Sequence, residues 1–257
     1  MRFILAAAPL ALAGVRAAGP THGVVVGDVT SSKATVWSRS DEASTMQASV
    51  YECGARVEGE EVTGEAQVNS TNDFTGLVDL NGLADDTCYE VEVVFNPSPD
   101  SSATLTPASS TASASGESAF ATFRTAPKPG VATAVRFAWG GDISGQNVCR
   151  DADEGFPLMD VINGAGPYDF FLNVGDAIYG DGECTSPGLG GNVQVVGDFE
   201  RSADLDNFWA HWKYNLEDPG SKTPLSTKAF FMPFLRYGVS RDLGPPRFFD
   251  EQSAPAI

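Results

Sequence analysis

The chain has 257 residues, 42% of them apolar, which is enough for one large or two ordinary domains with a real core. Its 34 acidic residues against 16 basic ones give a formal charge of −18. A field of that sign repels nucleic acid and anionic lipid, which sets both aside as partners, and it suits the binding of cations.

Residues 1–19 read as a signal peptide. Arg2 supplies a positive start, Phe3 to Val15 an apolar stretch, and Arg16-Ala17-Ala18-Gly19 a small-residue cleavage site. The apolar stretch is shorter than the roughly 20 residues a spanning helix needs, and no later segment is long enough. The protein is therefore expected in the secretory pathway or outside the cell. An even number of cysteines in a secreted chain favours disulfides. Two lie in each half, so Cys53–Cys88 and Cys149–Cys184 are the preferred pairs, with a metal thiolate as the alternative for Cys149. Asn69-Ser70-Thr71 is a glycosylation sequon, either used or an idle surface triplet.

From Thr21 to Thr125 the pattern is one of short strands without a helical period. Gly23 to Gly27, Ala34 to Ser38, Gln47 to Tyr51, Leu77 to Leu80, Tyr89 to Phe95 and Ala119 to Arg124 each read as a strand, and Ala34 to Ser38 alternates in and out. Tyr89 follows a turn at a strand start. That is the position of the tyrosine corner in immunoglobulin-like and fibronectin type III sandwiches. Pro97 to Gly116 is rich in Ser, Thr, Ala and Pro and reads as a loop. Ala126-Pro-Lys-Pro-Gly130 reads as a linker, which predicts an all-β sandwich over residues 20–126 and a second domain over 130–257.

The second domain begins with an apolar strand, Ala134 to Gly141. A polar turn over Asp142 to Glu154 and a short helix over Phe156 to Ile162 follow, and then a strand over Tyr168 to Val174. The run from Phe170 to Val174 suits a strand buried on both faces of an α/β sheet. The βαβ order makes the two strands parallel, and both end in Gly-Asp: Gly141-Asp142 and Gly175-Asp176. Open α/β sheets place ligands at that end. A second helix is predicted from about Ala203 to Glu217, with Leu205, Phe208, Trp209, Trp212 and Leu216 on its apolar face and His211 in a packing or hydrogen-bonding role. Beyond Pro219-Gly220 the periodicity is poor.

Asp142, Asp176 and Tyr179 are hard oxygen donors. A carboxylate bridging two cations holds them roughly 3.5–4 Å apart, the spacing of two-metal phosphoryl chemistry. A phenol ionises near pH ~10 in water, but a trivalent cation stabilises its anion. Tyr179 in place of another carboxylate therefore points to Fe(III). The expected roles are Asp142 as terminal ligand, Asp176 as bridge and Tyr179 as tyrosinate. A single Gly-Asp more often only caps a turn; two matching copies and a tyrosine on one βαβ unit favour the metal site. A rival reading makes Asp151, Asp153, Glu154, Asp181 and Glu183 an acidic calcium site, although such runs are usually solvated surface.

With those residues in view, the chain resembles the PhoD-type alkaline phosphatases. These are relatives of the purple acid phosphatases among calcineurin-like metallophosphoesterases. His22-Gly-Val-Val-Val-Gly-Asp-Val-Thr-Ser-Ser-Lys-Ala-Thr-Val-Trp37 is similar to the opening of the family's N-terminal sandwich. Arg136-Phe-Ala-Trp-Gly-Gly-Asp142 is similar to its first metal motif, and Gly175-Asp-Ala-Ile-Tyr179 to its second. Phe208-Trp-Ala-His-Trp-Lys-Tyr-Asn215 looks like the helix after it. The resemblance implies hydrolysis of phosphate monoesters or diesters at a binuclear or mixed site, with iron and calcium as the metals and a small phosphoester as substrate. Some members carry a cysteine ligand, for which Cys149 is the alternative to Asp142.

The chain also departs from the family. Where the Trp-Asp-Asp-His-Glu motif is expected it reads Phe234-Leu-Arg-Tyr-Gly238, and the later histidine-bearing loops have no counterpart. The chain holds two histidines in all. The expectation is a fibronectin III/immunoglobulin-like sandwich followed by an incomplete α/β metallophosphoesterase domain, with little or no turnover as it stands. A non-catalytic sandwich binding module and a metal-binding pseudoenzyme are the alternatives.

Overall fold

Alternation of apolar and polar residues builds the first half. In the computed structural model, which describes residues 19–57, 59, 61–97, 117–143, 149–180, 194–195, 197, 201, 204–218 and 229–231, seven strands precede residue 125. They are β1 (Val24–Gly27), β2 (Lys33–Arg39), β3 (Ser44–Glu52), β4 (Val62–Val68), β5 (Thr75–Asn81), β6 (Cys88–Pro97) and β7 (Ala119–Arg124). One antiparallel sheet has the order β1-β2-β5 and the other β4-β3-β6-β7. Every second residue of β3, β5 and β6 is buried. Val24, Val26, Val36, Val78 and Leu80 from one sheet meet Met46, Val50, Val91, Val93 and Phe95 from the other in a single core. Each such side chain contributes about 1.5–3 kcal/mol when fully buried.

Two local features close this sandwich. The Tyr89 hydroxyl accepts the Ala84 N–H at 2.8 Å, five residues upstream, as the sequence position of Tyr89 predicts. Cys53 and Cys88 form a disulfide with Cα atoms 5.4 Å apart, the expected pair. β4 was not legible. Its interior holds Gly64 and Glu65, and Val68 alone is buried. Gly64 stands where the sheets approach: a Cβ there would lie 2.4 Å from Val78 Cγ1.

β2 differs from the in-and-out expectation, because Ala34 to Ser38 are all buried. Both faces of its sheet are covered. Val36 points into the sandwich, while Trp37 and Val25 join a second cluster with Phe156, Met159, Ile162, Phe171 and Tyr214. The second half is therefore packed on the outside of the three-stranded sheet.

No helix or strand occurs between β7 and β8 (Phe137–Gly140). After β8 come β9 (Arg150–Asp151), α1 (Pro157–Gly164), β10 (Phe170–Asn173), β11 (Gln194–Val195), α2 (Leu205–Leu216) and β12 (Ala229–Phe231). β8 and β12 flank β10, both parallel to it. The βαβ unit thus forms as read. β9 and β11 pair antiparallel, and neither they nor β12 carry a sequence signal strong enough to read. Burial on both faces is not found. Phe171 and Asn173 of β10 are buried, but Phe170 and Leu172 are only partly so, and Phe137 and Trp139, alternate residues of the neighbouring β8, are 50% and 68% exposed. Pro at its first turn starts α1, and Met159 and Ile162, three residues apart, bury its inner face.

α2 also departs from its predicted face. His211, Tyr214, Asn215 and Leu216 are the buried residues, while Leu205, Phe208, Trp209 and Trp212 are partly or well exposed. Polar contacts explain the rotation. Tyr214 accepts the Arg150 N–H through its hydroxyl at 2.7 Å, and the Arg150 guanidinium donates to the Tyr214 carbonyl while lying 4.4 Å from its ring centre. His211 Nδ1 lies 2.9 Å from the Asn207 carbonyl oxygen. Asp218, fully buried just past α2, accepts the N–H of Phe156 at the start of α1 at 2.9 Å. Gly155, at φ +72°, leaves room for that carboxylate.

Ion pairs join α2 to the sandwich. Lys213 Nζ lies 3.3 Å from Asp73 Oδ1, which also receives Arg39 at 3.0 Å. Glu217 receives Arg150 at 3.1 Å and lies 3.4 Å from His22 Nε2. His22 and then Arg150 hold the Glu217 carboxyl down to about 2.

Two predictions follow from these contacts. Replacing Cys53 and Cys88 with Ser opens a loop closed across a separation of 35 residues. It should cost about 2–4 kcal/mol in urea unfolding, chiefly by freeing the unfolded chain. Because the folded Glu217 carboxyl titrates below its unfolded value, its stabilisation is complete above about pH 4.5 and is lost as pH falls towards 2. Glu217→Gln should therefore flatten the acid limb of a pH–melting profile in that window. The difference should shrink in high salt, since the side chain is half-exposed.

Candidate metal centre

The site grows out of the pairing of β8 with β10. Their register runs from Phe137 opposite Phe170 to Gly140 opposite Asn173. It continues past both strand ends: Val174 N–H donates to Gly140 O at 2.9 Å, Asp142 N–H to Gly175 O at 3.3 Å and Ile143 N–H to Asp176 O at 3.2 Å. The two Gly-Asp turns are thus hydrogen-bonded to each other. Glycines permit the approach, since a Cβ on Gly141 would sit 3.0 Å from Gly175 O, and Gly175 itself has φ +146°.

Asp142 and Asp176 both adopt left-handed backbone, at φ +52° and +47°. Residues other than glycine rarely do so, and strain of this kind clusters at functional sites. It turns the two carboxylates outward, where both are exposed, while the following Ile143 and Ala177 are buried and anchor the turns. The Tyr179 hydroxyl donates to Asp142 Oδ1 and lies 3.4 Å from Asp176 Oδ2. The structure therefore brings Asp142, Asp176 and Tyr179 together.

The electrostatics of the trio are those of a cation site. Burial, then the hydrogen bond to Asp142 and the charges of both carboxylates, push the Tyr179 phenol well above the usual phenol range. Without a cation it keeps its proton and shares it with Asp142. A bound metal reverses that logic, because its charge favours the phenolate. Three hard oxygen donors, two of them anionic, fit a hard cation such as Fe(III) or Ca²⁺.

The remaining candidates fall elsewhere. Cys149 is buried and disulfide-bonded, so its sulfur offers no thiolate. Its expected partner Cys184 lies outside the described residues, as do Asp181 and Glu183. The Asp151 carboxylate receives the N–H groups of Asp153 and Glu154 at 2.8 and 2.9 Å, capping its own turn. No cluster of three or more His, Cys, Asp or Glu positioned to hold a metal occurs among the described residues. Both histidines are engaged away from the trio: His22 with Thr21 and Glu217, His211 with Asn207. Asn69 is exposed; its Oδ1 accepts from the N–H and hydroxyl of Thr71.

Two residues near the trio are not singled out as site residues by the sequence reading. Asn173 is fully buried at the end of β10. Its Oδ1 accepts the Gly175 N–H at 3.1 Å, shaping the turn, and its Nδ2 has no hydrogen-bond partner among the described residues. Asn215 of α2 donates from Nδ2 to the Ala177 carbonyl, between the two site residues of the second turn.

Residues 7–127 match the family model described as PhoD-like phosphatase, N-terminal domain. No curated protein matches the chain. Among solved structures, the chain is similar to PhoD, at 16% identity and a TM-score of 0.62 over 84% of this chain. It is also similar to the purple acid phosphatase PPD1 from yellow lupin (Lupinus luteus) seeds, at 12% identity and a TM-score of 0.50, again over 84% of this chain. It spans 38% of the first structure and 35% of the second. These likenesses show a shared fold, and residues 7–127 are similar to the N-terminal domain of PhoD-like phosphatases.

Proposed function

We propose that this chain carries the first two metal motifs of a secreted phosphoesterase of the PhoD type. The observation that carries the reading is the convergence of Tyr179 on Asp142 and Asp176 across two hydrogen-bonded turns. Asp176 is the bridging carboxylate, Asp142 a terminal ligand and Tyr179 a tyrosinate. Fe(III) is the expected metal beside Tyr179, with Ca²⁺ as the second cation. When bound, such cations supply Lewis-acid polarisation of a phosphoester. The chain's own part is to hold the donors in place: strained turns fix the carboxylates, and the phenol surrenders its proton on loading.

The substrate is a small phosphate mono- or diester. Disulfide use and the leader-like sequence read over residues 1–19 support secretion; no helix among the described residues is long and apolar enough to span a membrane. We place the boundary between a sandwich, residues 20–126, and a second domain, residues 130–257; the lack of a helix or strand between β7 and β8 supports it. The sheet orders β1-β2-β5 and β4-β3-β6-β7 with a tyrosine corner support a fibronectin III-like sandwich. The α/β reading of the second domain is supported by the parallel strands β8, β10 and β12 among the described residues.

With both histidines engaged elsewhere, the trio itself supports metal binding through three oxygen donors, and a metal-binding pseudoenzyme is the second reading.

Iron-loaded protein should show a visible tyrosinate absorption that Tyr179→Phe abolishes, with nitrophenyl-phosphate hydrolysis far below a complete metallophosphatase. Absence of tightly bound iron, or colour that survives Tyr179→Phe, would overturn the assignment. In a eukaryotic secretory host, exposed Asn69 should carry a glycan. A mass shift removed by Thr71→Ala checks this, and an unshifted mass contradicts it.

A further inference from the structure

The trio is held from behind. Asp176 and Tyr179 flank Ala177, whose side chain is buried and whose carbonyl accepts the Asn215 Nδ2–H. A buried amide donor on a helix fixes that peptide far better than solvent would, because losing it leaves a buried carbonyl unpaired. Asn215 lies on the buried face of α2, next to Tyr214, which clasps Arg150.

α2 is itself fixed by the sandwich. Two residues before Asn215, Lys213 pairs with Asp73, and Asp73 is held by both Nε and Nη2 of Arg39 at 3.1 and 3.0 Å. Two residues after it, Glu217 meets His22 and Arg150. Asp73 stands at φ +49°, presented on the left-handed residue that ends the turn after Asn69. The helix segment carrying Asn215 is thus pinned on either side by sandwich residues.

We propose that Asn215 is a positioning residue for the metal centre, setting the Asp176–Tyr179 turn through the Ala177 carbonyl. The sandwich sets the register of Asn215 through Asp73–Lys213 and His22–Glu217. This deepens the metal-site reading and rests on it for the function of the turn, while the mechanical link stands on its own contacts. It gives the N-terminal domain a task in the site to which it contributes no ligand.

The test uses the whole chain, metal-free and then with Tb³⁺ as a hard trivalent probe. Asn215→Asp keeps the shape and removes the donor. In metal-free protein it should raise hydrogen exchange at the amides of Asp142 and Ile143, whose acceptors are the Gly175 and Asp176 carbonyls, while β3 and β6 amides stay protected. Asp73→Asn, which keeps a residue tolerant of left-handed backbone, should raise the same exchange from the sandwich side. It also decides the matter if Asn215→Asp melts at ambient temperature. Tb³⁺ emission sensitised through Tyr179, defined as the part lost in Tyr179→Phe, should then report affinity weakened roughly three- to tenfold in both variants. Unchanged exchange at Asp142 and Ile143 in both variants, or unchanged Tb³⁺ affinity with a raised exchange rate, would overturn the proposal. Wild-type protein without any Tyr179-dependent emission would instead refute the metal site, with the exchange data still deciding the link.

Discussion

Everything at the candidate centre depends on the hydrogen bonds between the two Gly-Asp turns. Parallel pairing of β8 with β10 brings the strand ends together, but pairing alone would leave the carboxylates pointing wherever extended backbone sends them. The bonds from Asp142 to Gly175 and from Ile143 to Asp176 carry the ladder into the turns. They hold both aspartates in a conformation that favours glycine. Burial of Ile143 and Ala177 supplies the opposing anchor, so each turn has one residue locked in and its neighbour turned out. Tyr179 can then meet both carboxylates from one side.

The same constraint explains the chemistry of the phenol. Two like charges face one group that has a proton to give, and the partly buried hydroxyl keeps it. A cation does that job better, since it can neutralise both carboxylates and convert the phenol into a third anionic donor. The site's polarity is therefore set by backbone geometry rather than by any basic side chain. The overall negative charge of the chain adds to the attraction for cations.

Much of this was legible in the sequence where one residue's environment decides its role. Tyr89 at a strand start, Cys53 with Cys88, and the paired Gly-Asp ends of two apolar runs all stand where local pattern predicts. The failures share a cause in tertiary contact. β2 read as alternating because its outer face was taken for solvent, whereas the second half covers Trp37 and Val25. α2 read as a Leu-Phe-Trp face, whereas Arg150 and the Ala177 carbonyl reward a polar one with Tyr214 and Asn215 on it. β10 read as doubly buried, yet its Phe170 and Leu172 are only partly buried and Phe137 and Trp139 of the neighbouring β8 face outward. Partners far away in sequence set the first two, and periodicity is blind to them.

The most direct test of the central claim is anomalous diffraction from crystals of the iron-loaded chain. The account predicts a peak within bonding distance of the Tyr179 phenol oxygen and a carboxylate oxygen of Asp176, with Asp142 on the same cluster. A peak confined to Asp151, Asp153 and Glu154, or no ordered iron at all, would contradict it.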